Sequence, residues 1–192
     1  VAIHSTISPD LAPLLAARAA AVAMAVIDAP VSGGVAGARA GDLVVMVGAT
    51  PETFEVSRPA FERFGSLVMR VGEVGSGTRA KLARNLLQYV GFVAAHEAQR
   101  LAEAAGVELA QLAAAVRHSD RVTGGPSAVM VRPTAAPMAA DDPLVPIFAH
   151  VRDLADKDLH LALDLARSLG VDLPVSARAA AAMAASLGLP KT

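Results

Sequence analysis

The stretch over residues 78–105 reads as one long helix closed by Gly106, and its length fixes how the rest of the chain can be arranged. Before it, short apolar strands alternate with helices. Residues 1–4 read as a strand ending at Ser5-Thr6, a helix follows from Pro9 to about Ala21, and residues 25–28 form a second strand. Residues 43–47 and 67–71 read as further strands around a helix over 51–64 that starts on Pro51, while the segment from Gly33-Gly34 to Gly41 reads as a loop. After the long helix only helices are expected, over 109–117, 147–169 and from Pro174 to Gly188, with a broken, proline-bearing region between Asp120 and Pro146. The fold class is therefore α/β followed by all-α, divided near residue 76 into residues 1–76 and residues 77–192. Because the chain opens inside a strand with no turn or helix before it, its beginning reads as a cut through a sheet.

With 192 residues, 54% of them hydrophobic, the chain can bury a sizeable core. A formal charge of −1 with scattered basic residues gives no attraction to nucleic acid or to an anionic membrane. No apolar run reaches the roughly 20 residues of a membrane helix, and no signal peptide is legible. The absence of cysteine rules out disulfides, thiolate metal sites and a cysteine nucleophile, and suits a cytoplasmic location. A small molecule or a second copy of the chain is the expected partner. The lysines are Lys81, Lys157 and Lys191; every other basic residue is arginine. A lysine in mid-helix thus raises the question of what a titratable ammonium does that a permanently charged guanidinium could not.

Gly75-Ser-Gly-Thr-Arg-Ala80 matches G-x-G-x-x-A between a strand and a helix, but no second strand with an acidic end follows, as a dinucleotide fingerprint requires. It reads instead as a flexible glycine hinge into the long helix. Along that helix Lys81, Asn85, Gln88, Phe92 and His96 fall on one stripe, which is either the solvent face or the wall of a wet cleft. Arg84, Glu97 and Glu103 lie off the stripe and could supply the solvent face, which favours the cleft. Asp28-Ala-Pro-Val-Ser32-Gly33-Gly34 follows a strand, at the end where open α/β sheets place ligands, and its glycines let backbone N–H groups approach an anion. Taken alone, such a turn needs no function. Lys157 has Asp153 four residues before it, a spacing common in surface pairs. His4, His118, His150 and His160 show no metal-like spacing, and no metal site is expected.

Four segments in order resemble the β-hydroxyacid dehydrogenase family, which includes 3-hydroxyisobutyrate dehydrogenases and tartronate semialdehyde reductases. They are Ser5-Thr6-Ile7-Ser8-Pro9, Asp28 to Gly34, Gly75-x-Gly77-x-x-x-Lys81-x-x-x-Asn85, and Lys157-Asp-Leu-x-Leu-Ala-Leu163. The resemblance implies the later part of a Rossmann-type domain joined by the long helix to an all-helical domain, with NAD or NADP as cofactor. It further implies that Lys81 is the acid/base, with Asn85 assisting. Ser32, Gly33 and Gly34 would take the substrate carboxylate, and Thr6 and Lys157 would lie on the cofactor side. Two departures stand out: Ile3 replaces a common acidic residue, and the family's N-terminal G-x-G-x-x-G unit has no counterpart. The implied reaction interconverts a small 3-hydroxy acid and its semialdehyde, for which an amine of lowered pKa can take the hydroxyl proton. Alternatives are an imine reductase-like NADPH enzyme, which usually lacks the lysine at the place of Lys81, and a non-catalytic helical dimerisation module. The apolar helices after residue 77 are expected to mediate a homo-oligomer.

Overall fold

The computed structural model describes residues 1–190; Lys191 and residue 192, the end of the expected second domain, lie outside the described residues. Contacts group the chain into two units, residues 1–89 and residues 90 onward.

In the first unit β4 (Leu43–Gly48) is the central strand of a mixed sheet. It is apolar throughout, and Val45 and Val47 are wholly buried, as a strand covered on both faces requires. Strand β5 (Gly65–Gly72) runs parallel to it. On the other edge β2 (Ile27–Asp28) and β3 (Val31–Ser32) run antiparallel to it. Their partners Asp28↔Gly48, Val31↔Val45 and Ser32↔Val44 keep one register, so β2 and β3 are halves of one strand broken at Ala29-Pro30. Pro30 has no N–H to give to the ladder, which explains the break. Strand β1 (Ala2–Ile3) adds in parallel to β2.

Helix α1 (Leu11–Ala20) follows β1, and α3 (Pro51–Phe61) connects β4 to β5. The start of α3 is set by Thr50, whose hydroxyl accepts from the Thr53 N–H at 3.2 Å, and by Pro51 in the first turn. Phe54 and Phe61, two turns apart, pack against Ile27, Ala29, Val45 and Val47 to form the core. His4 completes its edge: the Nδ1 nitrogen bonds the Ala29 carbonyl at 2.7 Å and the ring stands edge-on to Phe61 and Phe64.

Two elements depart from the expected loop between Gly33 and Gly41. Strand β3 is one, and the other is the short helix α2 (Gly34–Ala40). Neither carries a legible period, since β3 has two residues and α2 contains two glycines and buries no side chain.

The entry into α4 (Ser76–Ala104) also differs from the flexible hinge read in the sequence. Asp28, wholly buried at the end of β2, accepts the Gly75 N–H at 2.7 Å and the Thr78 N–H at 2.6 Å. A carboxylate from a distant strand therefore caps the helix, satisfying first-turn donors and facing the positive end of its dipole. Gly77 is there for closeness: a Cβ on it would lie 2.7 Å from the Asp28 carbonyl oxygen and 3.0 Å from the Gly48 nitrogen. The glycine pair gives a tight contact, not a loose joint.

In the second unit α5 (Leu109–Thr123) is followed by a 3₁₀ turn over Gly125–Val129 and by α6 (Val145–Ser168) and α7 (Pro174–Ser186). Met138, Phe148, Leu187 and Leu189 form its core. Glu97, assigned by sequence to the solvent face of the long helix, is instead 3% exposed. Its carboxylate accepts the Val175 N–H at 2.7 Å, the Ser176 N–H at 2.8 Å and the Ser176 hydroxyl at 2.7 Å, capping α7 behind Pro174. An off-stripe position is exposed only if nothing packs there, and the start of α7 does.

Both caps give testable expectations. Asp28→Ala leaves two buried N–H groups without an acceptor and should cost about 3 kcal/mol in urea unfolding, with Asp28→Asn losing less because it keeps one oxygen. For Glu97, burial alone would raise the carboxyl pKa, but hydrogen bonds from Ser176 and Val175 and the charge of Arg100 outweigh it and hold the group below its ordinary value of 4.5. A depressed carboxylate contributes stability fully above that value and loses it as pH falls through the lower folded-state pKa. Thermal melts from pH 6 to 3 should therefore fall more steeply for the native chain than for Glu97→Gln.

Candidate active site

A cavity of about 640 Å³ opens in the first unit between the turn after β3 and the early turns of α4. One wall is Val31, Ser32, Gly33, Gly34, Val35 and Ala38, with Leu43 below. Ser32 is the last residue of β3 and is 7% exposed. After it the backbone turns through Gly33 at φ +133°, where a side chain would be strained and its Cβ would lie 2.8 Å from the Leu43 side chain. This turn leads directly into α2, whose Gly34, Val35 and Ala38 also line the cavity.

The opposite wall is α4, contributing Lys81, Arg84, Asn85, Gln88 and Tyr89. Lys81, Asn85 and Gln88 recur at helical spacing and are each half-buried. The Lys81 ammonium titrates below its ordinary value of 10.5, first because burial disfavours its charge and second because of the Arg84 guanidinium. Arg84 Nη1 donates to Asn85 Oδ1 at 3.4 Å and also to Gln88 Oε1.

The cavity thus gathers Lys81, Asn85, Ser32, Gly33 and Gly34 from two segments of the sequence. Thr6 does not line it; it sits exposed in the loop after β1. Lys157 belongs to the second unit, on α6, where its partner is Asp158 at 3.1 Å. Asp153 pairs with Arg152 at 2.7 Å, so the expected Asp153–Lys157 pair is not formed. Phe92 and His96, the far end of the expected stripe, also belong to the second unit. Arg84, read by sequence as able to supply the solvent face, is exposed and also lines the cavity. Its position three residues after Lys81 was the available signal, since residues three and four apart share a helix face.

The Gly75–Gly77 segment does not suit a dinucleotide pyrophosphate, because Asp28 and the end of β4 already fill the space its N–H groups face. What the described residues offer is a cavity in which two cations, two amides and two hydroxyls stand among apolar side chains.

Comparison with known proteins agrees with this two-part build. Residues 1–75 match a family model described as the NAD binding domain of 6-phosphogluconate dehydrogenase. Residues 75–188 match one described as NAD-binding of NADP-dependent 3-hydroxyisobutyrate dehydrogenase. Both matched models are described as NAD-binding parts of dehydrogenases, the first over the sheet-bearing residues and the second over the helical ones. More particularly, the chain belongs to the β-hydroxyacid dehydrogenase family, whose cofactor is NAD or NADP.

An uncharacterized oxidoreductase of Mycobacterium tuberculosis is 51% identical over 190 residues, 99% of this chain and 64% of the relative. The chain therefore spans somewhat under two thirds of that relative's length. The 2-hydroxy-3-oxopropionate reductase of Escherichia coli is 32% identical over 139 residues, 72% of this chain and 45% of the relative. Among solved structures, the Mycobacterium tuberculosis 3-hydroxyisobutyrate dehydrogenase with L-serine superposes with a TM-score of 0.56 at 33% identity, covering 95% of this chain and 62% of the other. An imine reductase from Pseudomonas sp. reaches a TM-score of 0.71 at 16% identity, covering 97% and 65%, a likeness of fold alone. Among the described residues no helix is long and apolar enough to cross a membrane.

Proposed function

We propose that the chain carries the substrate side of a cytoplasmic NAD(P)-dependent oxidoreductase that interconverts a small 3-hydroxy acid and its semialdehyde. The observation that carries this reading is Lys81: a half-buried ammonium of lowered pKa, facing a serine-glycine turn across a cavity of small-molecule size. When bound, the nicotinamide supplies the hydride acceptor. The chain's own residues do the rest. The Ser32 hydroxyl and the backbone of Gly33 and Gly34 receive the substrate carboxylate, which fixes the molecule at one end. Neutral Lys81 takes the hydroxyl proton in oxidation, and its ammonium returns a proton to the aldehyde oxygen in reduction. Asn85, one turn along α4, holds that oxygen in line with the amine. Thr6 and Lys157 are assigned to the cofactor side on the family resemblance. The relatives named for 3-hydroxyisobutyrate and 2-hydroxy-3-oxopropionate support the substrate class.

The proton role sets the pH dependence. Oxidation needs the free amine, so its rate should rise with pH through the Lys81 pKa, below 10.5, while reduction falls over the same range. In the holoenzyme Lys81→Met should lower kcat by at least about 10²-fold and abolish that rise, whereas Ser32→Ala should mainly raise KM for the hydroxy acid. Unchanged turnover in Lys81→Met would remove the lysine from the chemistry.

The second unit supports a homo-oligomer. Val116, Val122, Ile147, Leu161 and Leu165 are among the large apolar side chains left open on α5 and α6. A second copy packed across a two-fold axis would cover them. Light scattering at micromolar concentration should give a mass of two or more chains; a monomer mass would overturn the assignment.

A further inference from the structure

We propose that Arg84 sets the specificity of this cavity by holding a second anionic group on the substrate, so that the site takes hydroxy acids with two carboxylates in preference to one. The proposal rests on the reading of the cavity as a hydroxy-acid site. Four observations carry it.

Arg84 lines the same cavity as Lys81, one helical turn further along α4 and further from the start of the helix. The hydrogen bonds to Asn85 Oδ1 and Gln88 Oε1 use a single nitrogen of the guanidinium, and both acceptors are neutral amides. They orient the group without cancelling its charge. The rest of the planar fork keeps the geometry that receives a carboxylate through two parallel hydrogen bonds.

The charge balance of the cavity points the same way. No carboxylate lines it, and among the described residues the ion pairs involve neither Lys81 nor Arg84. One carboxylate at the Ser32–Gly34 turn leaves the Arg84 guanidinium, which is exposed to solvent as well as lining the cavity, without a counter-charge from the protein. A second anion on the same molecule compensates it, and a cavity of about 640 Å³ has room for the longer acid. Arginine at this place also acts on the chemistry, since its charge is one of the two causes that lower the Lys81 pKa. Substrate anion and proton acceptor therefore meet the same side chain.

The test compares two acids with the same reacting end in the holoenzyme: 3-hydroxyisobutyrate, with one carboxylate, and 2-(hydroxymethyl)succinate, with two. The native enzyme should show kcat/KM for the diacid at least about tenfold above that for the monoacid, the worth of one charge-assisted hydrogen-bonded pair. Arg84→Met should bring the ratio of the two values close to one, Arg84→Lys should keep part of the preference, and Arg84→Met should move the alkaline rise in oxidation to higher pH. An unchanged ratio in Arg84→Met, with both acids oxidised, would overturn the role of Arg84 and leave the hydroxy-acid reading standing. So would a loss confined to KM for the cofactor, which would place the guanidinium on a cofactor phosphate. If neither acid is oxidised, the hydroxy-acid reading fails instead. Calorimetric titration of 2-(hydroxymethyl)succinate then decides the anion site alone: tighter binding to native than to Arg84→Met retains it, and equal binding overturns it.

Discussion

The buried carboxylate of Asp28 is the constraint on which the first unit depends. It stands at the end of β2, and its two oxygens hold the Gly75 and Thr78 N–H groups at the start of α4. A carboxylate without those donors would be a costly group to bury, and a helix start without an acceptor would leave its first donors unpaired. Each end therefore requires the other. Ser32 follows four residues after Asp28 and Lys81 three residues after Thr78, so one buried contact fixes the start of both walls of the cavity. The close approach of Gly48 and Gly77 is part of the same joint, because no side chain fits between the end of β4 and the helix.

Much of this architecture was legible in the sequence, and the reasons differ by element. The strand at 43–48 and the helices at 51–61, 76–104 and 145–168 are long enough for their periods to speak. Strand β3 and helix α2 were not legible, because two residues and seven residues give no period. The misread residues share a cause. Asp28 was read as the end of a strand and the start of a turn, with no capping role; Glu97 was assigned to solvent, and Gly75–Gly77 was taken for a flexible hinge. In each case the partner lies far along the chain, at separations of 47 to 79 residues, and a helix wheel carries no information about it. Arg84 differs, since its partners are local and its spacing from Lys81 already put it on the cavity side.

The residues lining the cavity divide the work between shape and charge. Val31 and the buried Leu43 give one flank of the cavity an apolar lining, while the cations stand on α4. Arginine keeps its charge at any relevant pH, while lysine can surrender its proton. Placing the permanent cation beside the titratable one makes deprotonation of Lys81 easier without a carboxylate to oppose it. The scarcity of lysine elsewhere in the chain is consistent with that distinction being used.

The capping of α7 by Glu97 bears on how the chain is made. During synthesis Glu97 emerges long before Val175 and Ser176, so α4 must be assembled with a carboxylate whose donors do not yet exist. Until α7 leaves the ribosome, that group has to stay hydrated and the second unit cannot close around it. Translation that stops short of residue 174 would strand a charged side chain in what should be an interior. Such a product also lacks Leu187 and Leu189, two of the four buried side chains named in the core of the second unit.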